Sequence, residues 1–191
     1  ETTLTKNLIK EGVDIHYKDD LSLIKDTFKS VENTLIIVTP AIPENHSELR
    51  YFKKEGFEIL KRSQVLGRIT ESNKSIGVAG THGKTTISSM ISFIFKYSKV
   101  PFTAFLGGIS KDLGSNYYYD NNSEITVIEA DEYDRSFLEL KPSIATVSAI
   151  DPDHLDIYGT KEEMQKTFKQ YLNENLQKDG VGIIHSSLTD I

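Results

Sequence analysis

The stretch Ile76-Gly-Val-Ala-Gly-Thr-His-Gly-Lys-Thr-Thr-Ile-Ser-Ser-Met90 decides how the rest of the chain is read. Ile76 to Ala79 is a short apolar run of the kind that forms a buried strand. Gly80 and Gly83 break it, and beyond them Ile87, Met90, Ile91, Ile94 and Phe95 recur at helical spacing as one apolar face. Strand, glycine-rich turn and helix in that order turn a Gly-Lys-Thr match into a phosphate-loop signal. The glycines let successive N–H groups and the helix N-terminus face phosphate oxygens. Lys84 would then neutralise β and γ phosphates, and the Thr85 hydroxyl would hold Mg²⁺. The usual spacing asks for glycine where this chain has Val78, so the loop is a variant. The plain alternative, a glycine turn before a helix with an exposed lysine, does not account for so many agreeing features. Thr86 can equally serve the first helical turn.

Downstream, Ile125-Thr-Val-Ile-Glu-Ala-Asp-Glu-Tyr-Asp134 is an apolar strand that runs into four carboxylates. They fall at the strand's carboxyl end, where open α/β sheets bind ligands. Glu129, the first of them, is placed like the second acidic arm of a phosphate-loop site and would hold Mg²⁺ directly or through water. Alone the stretch reads as a solvated acidic loop; beside the phosphate loop it reads as a metal arm. Asp151-Pro-Asp-His-Leu-Asp156 follows another apolar strand, which would bring Asp153 and His154 to the same edge. There a neutral imidazole could ligate a second metal ion or contact the phosphoryl group, although a lone histidine is more often a surface residue.

The remaining chain alternates strand and helix signals. Val13 to Tyr17, Leu35 to Thr39 and Phe57 to Leu60 are expected as strands, with amphipathic stretches at Leu21 to Phe28 and Ser47 to Glu55 between them. The polar stretch Glu71 to Ser75 marks the boundary between a first domain, residues 1–72, and a second, residues 73–191. Phe102 to Leu106, Ile144 to Val147 and Val181 to Ile184 are further strands, apolar on both faces as a covered parallel sheet requires. Tyr117 to Asn122 is expected as an exposed loop. Thr160 with Glu163 opens a helix whose stripe is Met164, Phe168, Tyr171 and Leu172. The fold class is α/β with parallel strands and helical crossovers.

Bulk properties narrow the function. The 191 residues carry a net charge of −6, against the clustered basic surface that nucleic-acid binding needs. No apolar run approaches the roughly 20 residues that span a bilayer, so membrane insertion is not expected. The absence of cysteine excludes disulfides and thiolate metal sites, which fits a cytoplasmic protein. Glu1-Thr-Thr-Leu-Thr-Lys6 has neither an initiator methionine nor a signal-peptide pattern, and the chain is expected to be a fragment.

Gly80-Thr-His-Gly-Lys-Thr-Thr86, Glu129-Ala-Asp-Glu-Tyr-Asp134 with Ser136-Phe-Leu138, and Asp153-His-Leu-Asp156 resemble the Mur ligases in content, order and spacing. The resemblance covers nearly the whole chain. Ser136-Phe-Leu138 and Asp156-Ile-Tyr-Gly159 are most similar to the alanine-adding branch. Thr39-Pro-Ala-Ile-Pro-Glu-Asn-His-Ser-Glu48 with Lys61-Arg-Ser63 resembles its uridine-nucleotide domain. The resemblance implies a partial Rossmann-like domain that binds a UDP-sugar, a phosphate-loop ATPase domain incomplete at its C-terminus, and a third, amino-acid-binding domain absent from this chain. It implies ATP and Mg²⁺ as cofactors and UDP-N-acetylmuramate and L-alanine as substrates. Gly80, Thr81, His82, Gly83, Lys84, Thr85 and Thr86 are expected at the nucleotide, Thr85, Glu129 and His154 at metal, and Lys84, Glu129 and His154 in catalysis. Thr39, Ala41, Asn45 and Glu48 are expected near the UDP-sugar, with a proline-ordered turn capping a helix as their alternative. Relatives carry asparagine where this chain has Ala149, and the family's carbamylated lysine has no matching motif here. A peptide-recycling Mur ligase and a phosphate-loop regulatory protein without ligase activity are the competing functions.

Overall fold

Two units make up the chain, Glu1–Arg62 and Ser63–Ile191. The computed structural model describes residues 2–151 and 155–188.

In the first unit, α1 (Thr3–Lys10) begins with a reciprocal cap: Thr2 accepts from the Thr5 backbone and Thr5 accepts from the Thr2 backbone. The expected strand Val13 to Tyr17 does not form. Its side chains are used singly, Asp14 in an ion pair with Lys25 and His16 in a hydrogen-bond contact with Glu48, and Val13 and Tyr17 stay exposed. The expected helix Leu21 to Phe28 is instead two 3-10 turns, Leu21–Leu23 and Asp26–Phe28, split by Lys25 in extended conformation. Asp20 caps the first through the Ser22 backbone and hydroxyl, a local bond that competes with a longer helix. β1 (Leu35–Val38) and β2 (Glu58–Lys61) pair in parallel around α2 (Ser47–Lys54) as their crossover. Phe52, Phe57 and Ile24 form the core of this unit, with Phe52 and Phe57 edge to face at 4.9 Å.

The second unit begins one residue into α3 (Arg62–Ser72), so the polar stretch Glu71 to Ser75 is a helix end running into β3 (Lys74–Ala79). Then follow α4 (Lys84–Tyr97), β4 (Thr103–Ser110), β5 (Ser115–Tyr118), β6 (Ile125–Glu129), the 3-10 segment Tyr133–Glu139, β7 (Ile144–Val147), α5 (Leu155–Tyr158), α6 (Lys161–Glu174) and β8 (Val181–Ile184). Among the described residues the sheet order is β5-β4-β6-β3-β7-β8, parallel except for the β4–β5 pair. β3 is central, and the chain leaves it toward β4 on one side and later toward β7 on the other, which puts a topological switch point at its carboxyl end. The α/β class with parallel strands is as expected.

Three local expectations are corrected. Tyr117 and Tyr118 belong to β5, paired antiparallel with β4, and Tyr118 stacks on Phe102 at 4.6 Å. β8 is apolar yet all four of its residues are exposed, because it is an edge strand among the described residues. On α4, Ile91 and Phe95 of the expected stripe pack against the core, but Met90 and Ile94 are 60% and 56% exposed, whereas Ser88 and Ser92 are fully buried. Each of these serines donates to the carbonyl one turn back, Ser88 to Lys84 and Ser92 to Ser88, both at 2.8 Å. Their hydroxyls are thus satisfied inside the helix, and their small size seats α4 on β3, β4 and β6.

α6 packs as its stripe implies. Thr160 accepts from the Glu163 backbone, and Met164, Phe168 and Tyr171 are fully buried against Phe137 in the largest core cluster. Burial of Phe168 is worth several kcal/mol, so Phe168→Ala is expected to lower the unfolding free energy by about 3–5 kcal/mol in chemical denaturation.

Candidate functional site

The β3–β6 register places Glu129 opposite Val78, and the β3–β7 register places Val147 opposite Ala79. Three strand ends therefore converge where β3 gives way to the glycine turn. Gly80 and Gly83 have φ of 127° and 83°, values that side-chain-bearing residues rarely adopt. Gly83 is the N-cap of α4 and provides no side-chain cap. The first N–H groups of a helix have no intrahelical acceptor, so this end is open to an anion.

The loop is anchored from the β7 side. Thr81 donates its N–H to the Ala149 carbonyl at 2.9 Å, and its hydroxyl accepts from the Asp151 N–H at 3.0 Å. Ser148 donates its N–H to the Ala79 carbonyl at 3.1 Å, and its hydroxyl is in contact with the His82 carbonyl. Thr81 is buried, whereas His82 is exposed and faces Asp151 at 3.5 Å. In this geometry Thr81 shapes the loop from beneath.

Two polar pairs occupy the mouth. Thr85 Oγ1 lies 3.0 and 2.9 Å from the two Glu129 oxygens, and the Gly107 N–H donates to Glu129 Oε2 at 2.7 Å. A Cβ at Gly107 would fall on the Glu129 carboxylate, so the missing side chain makes room for it. Lys84 Nζ donates to the Gly80 carbonyl at 2.8 Å and contacts both Glu132 oxygens at 2.9 and 2.7 Å. The Glu132 side chain is 1% exposed and that of Lys84 14%. Sequence reasoning names Glu129 but passes over Glu132 and Gly107. The signal for Glu132 is present as one of four acids, with nothing in their order to say which turns inward.

A hydroxyl and a carboxylate side by side suit Mg²⁺, which takes oxygen ligands and keeps several waters. Among the described residues no group of three or more His, Cys, Asp or Glu could hold a metal ion. Asp153 and His154 lie outside the described residues. Tyr158, beneath the site, donates to the Glu132 carbonyl at 2.6 Å, and the Arg135 guanidinium lies over its ring at 5.3 Å. Burial first, then the Glu132 charge, pushes its hydroxyl up to about 12.

In the first unit, Thr39, Ala41 and Asn45 lie in the connection from β1 to α2 and are exposed. Glu48 is engaged internally, with His16 Nε2 at 2.8 Å and the Asp20 N–H at 3.2 Å. Asp19 caps α2 by accepting from the Ser47 hydroxyl and from the Ser47 and Glu48 backbone, bonds that hold its carboxyl below the usual carboxylate range.

The profile of the Mur ligase middle domain matches residues 78–189, and that of the Mur ligase family catalytic domain matches residues 1–74. The chain belongs to the Mur ligase family. It is 50% identical over 97% of its length to a UDP-N-acetylmuramate--L-alanine ligase of Parabacteroides distasonis, and 48% identical over 88% to one of Porphyromonas gingivalis. It spans 40% and 37% of those two relatives. Among solved structures, a UDP-N-acetylmuramate-alanine ligase of Thermotoga maritima superposes with a TM-score of 0.70 at 30% identity, over 95% of this chain and 40% of that one. A UDP-N-acetylmuramate:L-alanyl-gamma-D-glutamyl-meso-diaminopimelate ligase from Neisseria meningitides shares the fold, with a TM-score of 0.82 at 24% identity over 99% of this chain and 62% of that one. No helix among the described residues is long and apolar enough to cross a membrane.

Two outcomes follow from this geometry. Gly107→Ala is expected to push the Glu129 carboxylate off Thr85 at a stability cost of about 1 kcal/mol for the lost hydrogen bonds. Gly108→Ala, whose Cβ would meet Thr85 Cγ2 at 3.4 Å, leaves it in place, and crystal structures with thermal unfolding of both variants check this. Because Tyr158 binds its proton more tightly folded than unfolded, its contribution to stability is complete below about pH 10 and is lost as pH rises toward about 12. Urea midpoints across that range should fall less steeply in Tyr158→Phe, with the buried Tyr171, also shifted upward by burial, accounting for part of the remainder.

Proposed function

We propose that the protein carrying this chain joins L-alanine to UDP-N-acetylmuramate in peptidoglycan precursor synthesis, driven by ATP in the cytoplasm. The observation that carries the reading is the pairing of Thr85 with Glu129 beside Lys84 at an open helix N-terminus, on a chain half identical to relatives bearing that activity's name. The loop Gly80, Thr81, His82, Gly83, Lys84, Thr85 and Thr86 would take the triphosphate, with Lys84 against the β and γ phosphates. Thr85 and Glu129 would hold Mg²⁺, which when bound offsets phosphate charge, and His154 would lie near the transferred phosphoryl group. Thr39, Ala41, Asn45 and Glu48 would face the UDP-sugar.

A carboxylate is a poor acyl donor until one of its oxygens becomes a good leaving group. Attack of the lactyl carboxylate oxygen on the γ-phosphorus forms an acyl phosphate and breaks the bond to ADP. The alanine amine then adds to the acyl carbon, phosphate departs, and the amine proton passes to solvent. The protein's part is positioning and electrostatic stabilisation between two anionic substrates. Lys84 and the N–H groups of the loop oppose the charge that collects on the bridging oxygen.

In the intact protein, Lys84→Ala is expected to weaken Mg²⁺-dependent ATP binding at least about tenfold by calorimetry, given the strength of charged hydrogen bonds to phosphate. It should also abolish alanine-dependent phosphate release. Phosphate release stimulated by a tripeptide and not by L-alanine would replace this reading with the peptide-adding one. ATP binding indifferent to UDP-N-acetylmuramate would instead favour a regulatory protein.

A further inference from the structure

Lys84 is held by more than its loop. Its ammonium donates to the Gly80 carbonyl and to Glu132 Oε1 and lies 2.7 Å from Oε2, and the carboxylate end of that arrangement is buried. The Glu132 backbone is clamped in turn: its carbonyl accepts from the Tyr158 hydroxyl at 2.6 Å and the Arg135 N–H at 3.0 Å. Around it, Asp134 and Arg135 adopt left-handed conformations at φ of 53° and 55°, and the Asp131 carbonyl accepts from the Phe137 N–H and the Ser136 hydroxyl, both at 3.0 Å. Consecutive non-glycine residues in that region are unfavourable and persist where the surroundings over-determine them. The loop is therefore built to present one carboxylate at one place.

We propose that Glu132 is the positioning residue of the phosphate-loop lysine: its buried carboxylate holds the Lys84 ammonium so that the hydrogen now given to the Gly80 carbonyl turns onto the nucleotide's phosphate. This rests on the phosphate-loop reading above. A lysine side chain is long and flexible, and ordering it costs entropy that a pre-formed ion pair has already removed before nucleotide arrives. Glu132 touches Lys84 and acts on the nucleotide through it.

The test is a double-variant cycle on ATP binding to the intact protein with Mg²⁺, measured by calorimetry, with folding of each variant verified by thermal unfolding. Glu132→Gln, which keeps the shape and removes the charge, is expected to raise the ATP dissociation constant about tenfold, the size of one charge-assisted hydrogen bond. In a Lys84→Met background the same change should add nothing. Glu132→Asp keeps the charge but withdraws it by one methylene and, with the ion pair retained in part, serves if Glu132→Gln does not fold. It should weaken ATP binding severalfold, because position and not charge alone is at stake. Parent-like binding by Glu132→Gln or Glu132→Asp overturns the inference, as does a Glu132→Gln loss that persists undiminished in Lys84→Met. If Lys84→Met itself binds ATP as the parent does, the phosphate-loop reading has failed and the inference falls with it. Loss in Lys84→Met with no loss in Glu132→Gln leaves that reading standing and removes Glu132 alone.

Discussion

The hydrogen-bond ladders on either side of β3 are the constraint from which the second unit follows. Pairing with β6 and β7 in parallel register sets Glu129 opposite Val78 and Val147 opposite Ala79, and the turn after Ala79 then opens at the level of those strand ends. A slip of one residue in β6 would turn every side chain to the opposite face and carry Glu129 away from Thr85. Helix α4 is seated on the same sheet, against β3, β4 and β6, through its buried serines. Strand register, helix seating and the placement of the two acidic groups are thus one geometric condition.

Electrostatics then divides the acids at this edge. Glu129 is met by neutral donors, a hydroxyl and an N–H, so its charge remains available to an incoming cation. Glu132 is met by an ammonium, and its charge is already balanced. Two carboxylates three residues apart are given different tasks by what surrounds them, one outward-acting and one internal. Burying the second would be costly without its partner, since an uncompensated charge in a protein interior is strongly destabilising.

Much of this is legible in the amino-acid sequence, for physical reasons that can be named. The phosphate loop announces itself because glycine, lysine and threonine at that spacing have few other uses between a strand and a helix. The α6 stripe is readable because large side chains at period 3.6 are buried together. What escapes reading shares a different cause. The buried face of α4 includes, besides Ile91 and Phe95, Ser88 and Ser92, which hydropathy counts as polar although their hydroxyls never leave the helix. β5 reads as a loop because its tyrosines sit among polar residues and its pairing with β4 is a tertiary fact. The strand expected at Val13 to Tyr17 has apolar residues but no partner to pair with among the described residues. Glu132 is indistinguishable from its acidic neighbours because burial depends on a loop conformation, with left-handed Asp134 and Arg135, that no local pattern encodes. Asp153 and His154 fall outside the described residues, and His154 enters the site only through the proposal.

The position of β6 has a consequence for how the protein comes into being. β6 lies between β4 and β3, two strands that precede it in the chain. As the polypeptide leaves the ribosome, those two strands emerge first, and any pairing between them would have to be undone before β6 could take its place. The last of the three to arrive is also the one that carries Glu129. The arm of the site is therefore delivered by the same event that completes the centre of the sheet, through contacts distant in sequence that form slowly. A chain that has filled this slot has assembled its phosphate loop and its acidic partner together.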